Sequence, residues 1–201
     1  EATAAYPVLD IQAPLYVVSS VASSNGIGGN YVSNYSYAGA KAHVTGGGFL
    51  GFHTTSSTDA QTGIVSTTTY RQDYPYQGLP LSAEKRTGTG TTLNSVSNTW
   101  SFVTNPAWGT QYHVPQLTQS VESSYELTGS LISTVTTCNQ YDGYGNPLYI
   151  AVWSGNTSIS CAAPPVKTGW YVKETTNSYT NDTVNWFLGR LKSATVTSTT
   201  P

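Results

Sequence analysis

The chain has 201 residues, a net charge of −2 and only 9% charged residues, far below the fraction in ordinary soluble domains. Its 8 Lys and Arg residues are scattered, so the composition argues against nucleic-acid binding. The longest apolar run, residues 148–153, is too short to span a bilayer. Ser, Thr and 15 Tyr residues provide the polar groups that charged residues provide in other domains, and Tyr also provides aromatic rings. This composition favours β-strands.

The first part of the chain predicts strands that are interrupted by turns. Residues 15–21 are apolar enough for a buried strand. Alternation in residues 31–37 places Tyr side chains on one face of the next strand. A further alternating run at residues 40–45 is broken by the glycines at residues 46–48, after which a new strand is expected to begin.

Three hairpins are predicted in the middle of the chain, where pairs of strand-like segments flank short turns that contain glycine. The paired segments are residues 52–58 with 64–72, 83–87 with 92–102, and 116–127 with 131–141. Residues 73–80 are expected to leave the ladder, because Pro75 and Pro80 have no backbone N–H to donate.

The last part of the chain predicts further strands and one short helical turn. The strands expected there are residues 148–153, 169–179 and 191–199. Residues 142–146 form the turn that leads into the first of them. Residues 181–189 are predicted to form one helical turn, which Asn181 or Asp182 would cap and Gly189 would end.

Closely spaced strands joined by up-and-down hairpins predict an all-β protein, with antiparallel strands and hairpins forming a large curved sheet. No linker clearly divides the chain, so residues 1–201 are interpreted as a single β-rich segment, with a soft boundary near residues 104–109. The chain contains no Met and so does not begin at its own start codon, and residues 197–201 show no structural stop signal. We therefore expect the native chain to continue at both ends.

The two cysteines, Cys138 and Cys161, have neither the spacing of a CxxC pair nor the neighbours of a metal site. In an oxidising compartment they would form one disulfide. Alternatively, they are two unpaired, half-buried thiols, and the sequence leaves both alternatives open.

Four stretches of the sequence, taken together, resemble one family. The first comprises Tyr35, Tyr37, Gly39, Gly46, Gly48, Phe49, Gly51 and Phe52, and the second comprises Tyr70, Asp73, Pro75, Gly78 and Pro80. The third comprises Tyr141, Asp142, Gly145 and Asn146, and the fourth comprises Trp186, Gly189 and Arg190. In order and spacing they resemble the middle region of toxin-complex B components, which are virulence proteins of the Rhs/YD-repeat type. The visible departure is Gly47, where that family usually has Arg.

This resemblance implies a structural part of a secreted or cell-surface bacterial protein. In that family, Rhs and YD repeats form long β-strands that wind into a hollow shell around a toxic carboxy-terminal segment. The resemblance therefore implies a shell or scaffold segment that is not an enzyme and needs no cofactor. Its expected partners are the rest of a larger chain and the enclosed toxin, and exposed sheet edges add the prospect of self-association.

The sequence contains no pattern typical of nucleophilic catalysis, zinc proteases or phosphate binding, so no catalytic, cofactor-binding or metal residue is predicted. His43 and His53 with Asp59 or Asp73 form the one candidate set of metal ligands, but strand histidines by default face solvent.

Glu122 and Glu126 form the one candidate pair of catalytic carboxylates. Their spacing on one strand separates them by about 13 Å, which is too far for a glycosidase pair. A solvated strand face is the favoured interpretation.

The five Trp and many Tyr suggest an alternative function, an extracellular adhesin or carbohydrate-binding β module that uses exposed aromatic rings. In a β protein, however, Trp residues more often anchor the core. A stand-alone β enzyme is a third class, for which the sequence offers no set of reactive residues.

Overall fold

A computed structural model describes residues 4–104 and 113–201, and within these residues it has 12 strands and no helix. The strands are β1 (Val8–Asp10), β2 (Ser20–Ser24), β3 (Asn30–His43), β4 (Gly48–Asp59), β5 (Val65–Tyr70), β6 (Pro80–Arg86), β7 (Thr92–Thr104), β8 (His113–Tyr125), β9 (Leu131–Tyr141), β10 (Pro147–Gly155), β11 (Tyr171–Asp182) and β12 (Phe187–Thr199). The hydrogen-bonded order is β1-β3-β4-β5-β6-β7-β8-β9-β10-β11-β12, with β2 also paired to β3. The prediction of an all-β, antiparallel fold is confirmed.

The strands divide into two compact units. Unit 1 comprises Glu1–Ser95 and Tyr125–Ser130, and unit 2 comprises Val96–Ser124 and Leu131–Pro201. The boundary expected near residues 104–109 lies, apart from Thr104, outside the described residues. The interpretation of residues 1–201 as a single segment remains a prediction.

The three predicted hairpins are present as β4–β5, β6–β7 and β8–β9. A glycine with positive φ lies in each of their turns: Gly63, Gly90 and Gly129. Such a backbone conformation favours glycine because an L side chain is strained there. Pro80, expected outside the ladder, is instead the first residue of β6 and pairs with Tyr70. A strand can begin with Pro, because that position can forgo the N–H donor.

A β-bulge interrupts the β3–β4 hairpin in unit 1. Lys41 pairs with Gly51 and Ala42 pairs with Phe49, so Leu50 is an extra residue without a partner across the ladder. Gly51 has a φ of 84°, and Leu50 is one of the few buried side chains of unit 1. The bulge therefore turns a hydrophobic side chain inward at the point where the glycine-rich signature ends.

The prediction of a buried strand at residues 15–21 is wrong. Residues 15–19 form no strand, and β2 is exposed along its whole length. Leu15 and Val18 are 45% and 54% exposed. An apolar strand is buried only where a second layer covers it, and the described residues place none over this segment.

The hydrophobic core of unit 2 lies on one face of strands β9, β10 and β11. Alternation in β9 buries Thr136 and Cys138 on that face. The register places Ala151 opposite Cys138 and Trp153 opposite Thr136, and Val172 in β11 pairs with Trp153. These neighbouring positions form a small, continuous apolar patch.

The connection between β10 and β11, residues 156–170, folds over this core. Ile159 is buried in it, and the ring of Trp170 meets that of Trp153 edge-on, with centroids 6.0 Å apart. Cys138 and Cys161 form a disulfide with their Cα atoms 5.4 Å apart, so of the two alternatives left open by the sequence the structure has the bonded one.

The predicted helical turn at residues 181–189 is also wrong. Strand β11 continues to Asp182, β12 begins at Phe187, and the residues between them form a hairpin turn. The Asp182 carboxylate does accept the N–H groups of Val184 and Asn185, at 3.0 Å each, as a helix cap would. The same bonds also close a tight turn, so a capping residue alone does not distinguish the two structures.

The core of unit 2 predicts that the stability cost of a Val→Ala substitution depends strongly on its position. Val172→Ala is expected to lower the free energy of unfolding by about 2 kcal/mol, because Val172 is only 2% exposed. Val196→Ala on β12, where the side chain is 56% exposed, is the matched control and should cost less than about 1 kcal/mol. Urea unfolding followed by circular dichroism measures both, and equal losses would contradict this description of the core.

Candidate functional site

The signature residues take part in two polar networks, one within each unit. In unit 1, the side-chain Nε2 of Gln72 donates to the carbonyl oxygens of Gly39 (2.7 Å) and Gly51 (2.8 Å). We call these three residues the Gln72 clasp. It ties the segment after β5 to both strands of the β3–β4 hairpin, next to the bulge.

Residue 39 of the clasp must be glycine because the neighbouring strand approaches it closely. Gly39 has a φ of 68°, and a Cβ there would lie 2.8 Å from the Cβ of His53. His53 in turn contacts the carbonyl oxygen of Tyr70 through its Nδ1, at 3.0 Å. A side chain at residue 39 would therefore push apart the strands that the clasp joins.

The segment after β5 closes on itself through backbone hydrogen bonds. The N–H of Arg71 donates to the carbonyl of Leu79, and the N–H of Gly78 donates to the carbonyl of Arg71, both at 2.9 Å. Gly78 has a φ of 75°, which suits a residue without a side chain. Pro75, which follows a cis peptide bond, and the buried Tyr76 both lie in this loop.

The guanidinium of Arg71 contacts two other residues of the loop. It lies 4.0 Å from the ring centroid of Tyr76 and forms a two-pronged ion pair with Asp73, in which Nε donates to Oδ1 at 2.8 Å. Hydrogen bonding from Arg71 holds the pKa of Asp73 below its ordinary value, although partial burial acts in the opposite direction. Arg71 and Asp73 therefore stabilise the loop that carries Gln72.

An open groove of about 440 Å³ lies beside the clasp, with Lys41, His53, Arg71, Asp73 and Leu81 in its wall. His53, Arg71 and Asp73 are already bonded within the protein. These three side chains of the groove therefore serve contacts within the protein.

The second network is centred on Asp142 in unit 2. Its Oδ1 accepts the backbone N–H groups of Tyr144 (2.9 Å) and Asn146 (2.8 Å). Its Oδ2 accepts the side-chain amides of Asn146 (2.8 Å) and Asn181 (3.2 Å). Burial acts to raise the pKa of Asp142, but the hydrogen bonds from Asn146, Tyr144 and Asn181 outweigh it and hold the pKa below its ordinary value.

Asn181 extends this network to the fourth signature stretch. Its side-chain oxygen accepts the N–H of Gly189 at 2.8 Å. Gly189 has a φ of 72°, and a Cβ there would lie 2.7 Å from the side-chain oxygen of Asn146. We call Asp142, Asn146, Asn181 and Gly189 the Asp142 network. It joins the turn before β10 to the β11–β12 hairpin.

Tyr141 lies next to this network and connects two strands. Its hydroxyl donates to the carbonyl oxygen of Leu117 at 3.0 Å, and the side chain of Asn139 donates to the same oxygen at 2.9 Å. Burial raises the pKa of Tyr141. These bonds tie β9 to β8 on the side opposite β10.

Sequence analysis assigned no role to Gln72 and considered Asn181 only as a helix cap, although both lie in the stretches that resemble the family. In the sequence, the only indication that such an amide side chain bonds to the backbone is its position beside a glycine-rich turn. That pattern is weak. Two further signature residues of unit 1, Tyr37 and Phe52, contact each other with ring centroids 5.0 Å apart.

The candidate metal ligands His43 and Asp59 form hydrogen bonds with nearby backbone groups. His43 accepts the N–H of Gly47 through Nδ1 at 3.3 Å, and Asp59 accepts that of Gln61 at 2.9 Å. Within residues 4–104 and 113–201, no three His, Cys, Asp or Glu side chains are grouped as metal ligands would be. Of the two candidate carboxylates, Glu122 lies in β8 and Glu126 lies in the turn that follows it.

The tryptophans are distributed between core and surface. Trp153 is buried, and Trp100 and Trp170 are half-buried, whereas Trp186 is 61% exposed. Trp108 lies outside the described residues. A stacking platform for sugars would therefore depend chiefly on Trp186.

Taken together, the fold and the two networks define a β-sheet scaffold in which signature residues hold strands and turns in place. Residues 2–78 match the family model of the insecticide toxin TcdB middle/N-terminal region. This match includes the Gln72 clasp, and it confirms the resemblance to the middle region of toxin-complex B components.

Solved structures extend the likeness in fold to most of the chain. A chain in the crystal structure of TcdB2-TccC3 superposes with a TM-score of 0.67 and 13% identity over 88% of this chain. For the crystal structure of TcdB2-TccC3-Cdc42 the values are 0.63, 12% and 84%. This chain spans only 13% and 12% of the length of those two chains. A search of curated proteins finds no match.

In the part of the chain that the structure describes, no helix has the length and apolar character needed to cross a membrane.

The Gln72 clasp predicts a strong effect of exchanging an amide for a carboxylate. Gln72→Glu replaces a group that donates to two carbonyl oxygens by one that repels them, and we expect a loss of about 2–3 kcal/mol in stability at neutral pH. Gln77→Glu changes the charge equally at an exposed position of the same loop and should cost less than about 0.5 kcal/mol. Denaturant unfolding compares the two, and a similar cost for both would contradict the clasp.

The Asp142 network predicts a pH-dependent stability difference. Because folding lowers the pKa of Asp142 below the unfolded value of about 3.9, its stabilising effect is complete above that pH and is lost as the pH falls through the folded pKa. Asp142→Asn should therefore cost about 1–3 kcal/mol at pH 7 and progressively less below about pH 4.

Unfolding curves at pH 7 and at low pH measure this difference. Glu126→Gln, at an exposed turn, is the charge-matched control and should have a small effect at both pH values. A cost of Asp142→Asn that does not vary with pH would show that the carboxylate charge is unimportant.

Proposed function

We propose that this chain is a structural wall segment of a secreted bacterial protein of the Rhs/toxin-complex type, and that it helps to enclose or present a toxic cargo. The family match at residues 2–78 and the fold likeness to TcdB2-TccC3 support this proposal. The observation that carries it is that the signature residues bind strands and turns to each other and do not converge on a reactive centre.

The chemistry of the strand faces in unit 1 is suited to a wall. Ser56 and Thr67 pair across β4 and β5, with their hydroxyl oxygens 2.9 Å apart. Glu84 pairs with Thr67 across β5 and β6 and accepts the hydroxyl of Thr92 at 2.7 Å. Hydrogen-bonded hydroxyl rows of this kind offer a non-native chain little apolar surface to adhere to.

The partners in this proposal are the remainder of a larger chain and the enclosed toxic segment. This chain corresponds in fold to only 13% of the TcdB2-TccC3 chain, so a wall would need many further strands. The turn held by the Asp142 network would be a YD-type turn of such a wall. Location outside the producing cell belongs to the same proposal.

The alternative function is an extracellular adhesin or carbohydrate-binding module. The exposed rings of Trp186 and Tyr171, each 61% exposed, favour it. Sugar-binding sites combine aromatic faces with convergent polar groups. The wall proposal is preferred because the family match and the polar networks both support it.

A pair of adjacent residues tests whether one face of the sheet meets a cargo. Thr67 and Thr68 are consecutive in β5, so their side chains point to opposite faces. With a photo-cross-linking amino acid at one position or the other in the assembled full-length protein, we expect cross-links to the toxic segment from only one of them. Mass spectrometry identifies the products, and cross-links from both positions or from neither would contradict an enclosing wall.

A further inference from the structure

The connection at residues 156–170 is held to unit 2 by few contacts. Apart from Ile159, Cys161 and Trp170, all of its residues are exposed. Its backbone is bonded to the sheet by Ile159 N–H to the hydroxyl of Thr136 (3.3 Å) and by Cys161 N–H to the side chain of Gln119 (3.3 Å), which donates back to the Ile159 carbonyl at 3.4 Å. These distances are at the long end for hydrogen bonds, so these backbone contacts hold the segment weakly. Nearer the end of the connection, the ammonium of Lys167 forms an ion pair with Glu174 of β11, and an ion pair at this partly exposed position adds little stability.

The ends of the connection are fixed independently of its middle. Ser154 in β10 pairs with Tyr171 in β11, and the ladder continues from there to Tyr149 and Thr176. Residues 156–170 therefore form a closed loop on an intact hairpin. The middle of the loop can leave the core without breaking any strand pair.

The disulfide is the covalent tie in the middle of this loop, and solvent can reach it. Cys161 is half-buried and lines two cavities of about 210 and 310 Å³. Cys138, in β9, is 7% exposed and lines only the first of these two. A reductant would thus meet the sulfur of Cys161 first.

We propose that the Cys138–Cys161 disulfide is a redox-sensitive latch, which holds residues 156–170 over the core of unit 2 and releases them when a dithiol reduces it. The latch adds a conformational response to the proposed wall and does not depend on that function. It would report the passage of the protein from an oxidising to a reducing compartment.

The reaction is an ordinary thiol–disulfide exchange. A thiolate of the dithiol attacks Sγ of Cys161, the bond between the two protein sulfurs breaks, and Cys138 leaves as a thiolate that takes up a proton. The second thiol of the reductant then attacks the mixed disulfide and frees Cys161 as a thiol. The protein disulfide gains two electrons and two protons, and the dithiol becomes a cyclic disulfide.

Release would uncover an apolar surface. Ala151, Trp153 and Val172 are buried under Ile159 and the disulfide, and they form a continuous patch with neighbouring positions of three strands. Because these strands remain paired, the exposed surface would be a sheet face, available to the rest of the assembly.

Limited trypsin digestion of the intact protein, with and without a dithiol, tests the latch. Lys167 lies in the loop, whereas Lys192 lies in β12 and serves as an internal control. We expect reduction to accelerate cleavage after Lys167 on the order of tenfold or more and to leave cleavage after Lys192 unchanged. Hydrogen exchange should show the same loss of protection at the amides of Ile159 and Cys161.

The double variant Cys138→Ala, Cys161→Ala should behave like the reduced protein without any dithiol and should not respond to one. Unchanged cleavage after Lys167 on reduction would overturn the proposal, because the loop would then be held without the disulfide. Parallel acceleration at Lys192 would overturn it too, since reduction would unfold the strands. These comparisons within the unmutated protein decide the matter even if the double variant fails to fold.

Discussion

Backbone hydrogen bonding between neighbouring strands is the interaction on which this structure depends, because few side chains are removed from water. The buried hydrophobic residues among those described are Leu50, Tyr76, Cys138, Ala151, Trp153, Ile159 and Val172. A sheet with so small a core has little apolar packing to select one strand register over another. Side chains that bond to backbone groups must supply that selection.

The two polar networks meet this requirement in the same way. Gln72 bonds to carbonyl groups of two different strands, and Asp142 bonds to its own turn and to Asn181 in a distant hairpin. A shift of one residue in strand register at either network would leave partly buried hydrogen-bond donors unpaired. The free-energy cost of an unpaired donor exceeds the net gain from one hydrogen bond. Several residues that mark the toxin-complex resemblance, among them Gly39, Asp142 and Gly189, are therefore partners in the bonds that set the register.

Unit 2 adds a covalent tie to these polar ones. Cys138 and Cys161 are 23 positions apart in the sequence, and in the chain-entropy model the closed loop between them lowers the entropy of the unfolded chain. This stabilises the folded state by about 3 kcal/mol. The tie also places Ile159 on the apolar face of three strands. The same bond thus stabilises the core and makes its cover sensitive to reducing conditions.

The sequence by itself determined the class of fold, most of the strands, the three central hairpins and the family resemblance, because alternation, Thr and Tyr content and glycine turns act over a few residues. Only the tertiary structure decided that residues 15–19 are exposed, that Asp182 closes a hairpin turn, that the cysteines are joined and that Asn181 completes the site of Asp142. These outcomes depend on which segments become neighbours across long stretches of chain. Local preferences carry no information about such neighbours, since the same apolar run or capping carboxylate is compatible with several surroundings.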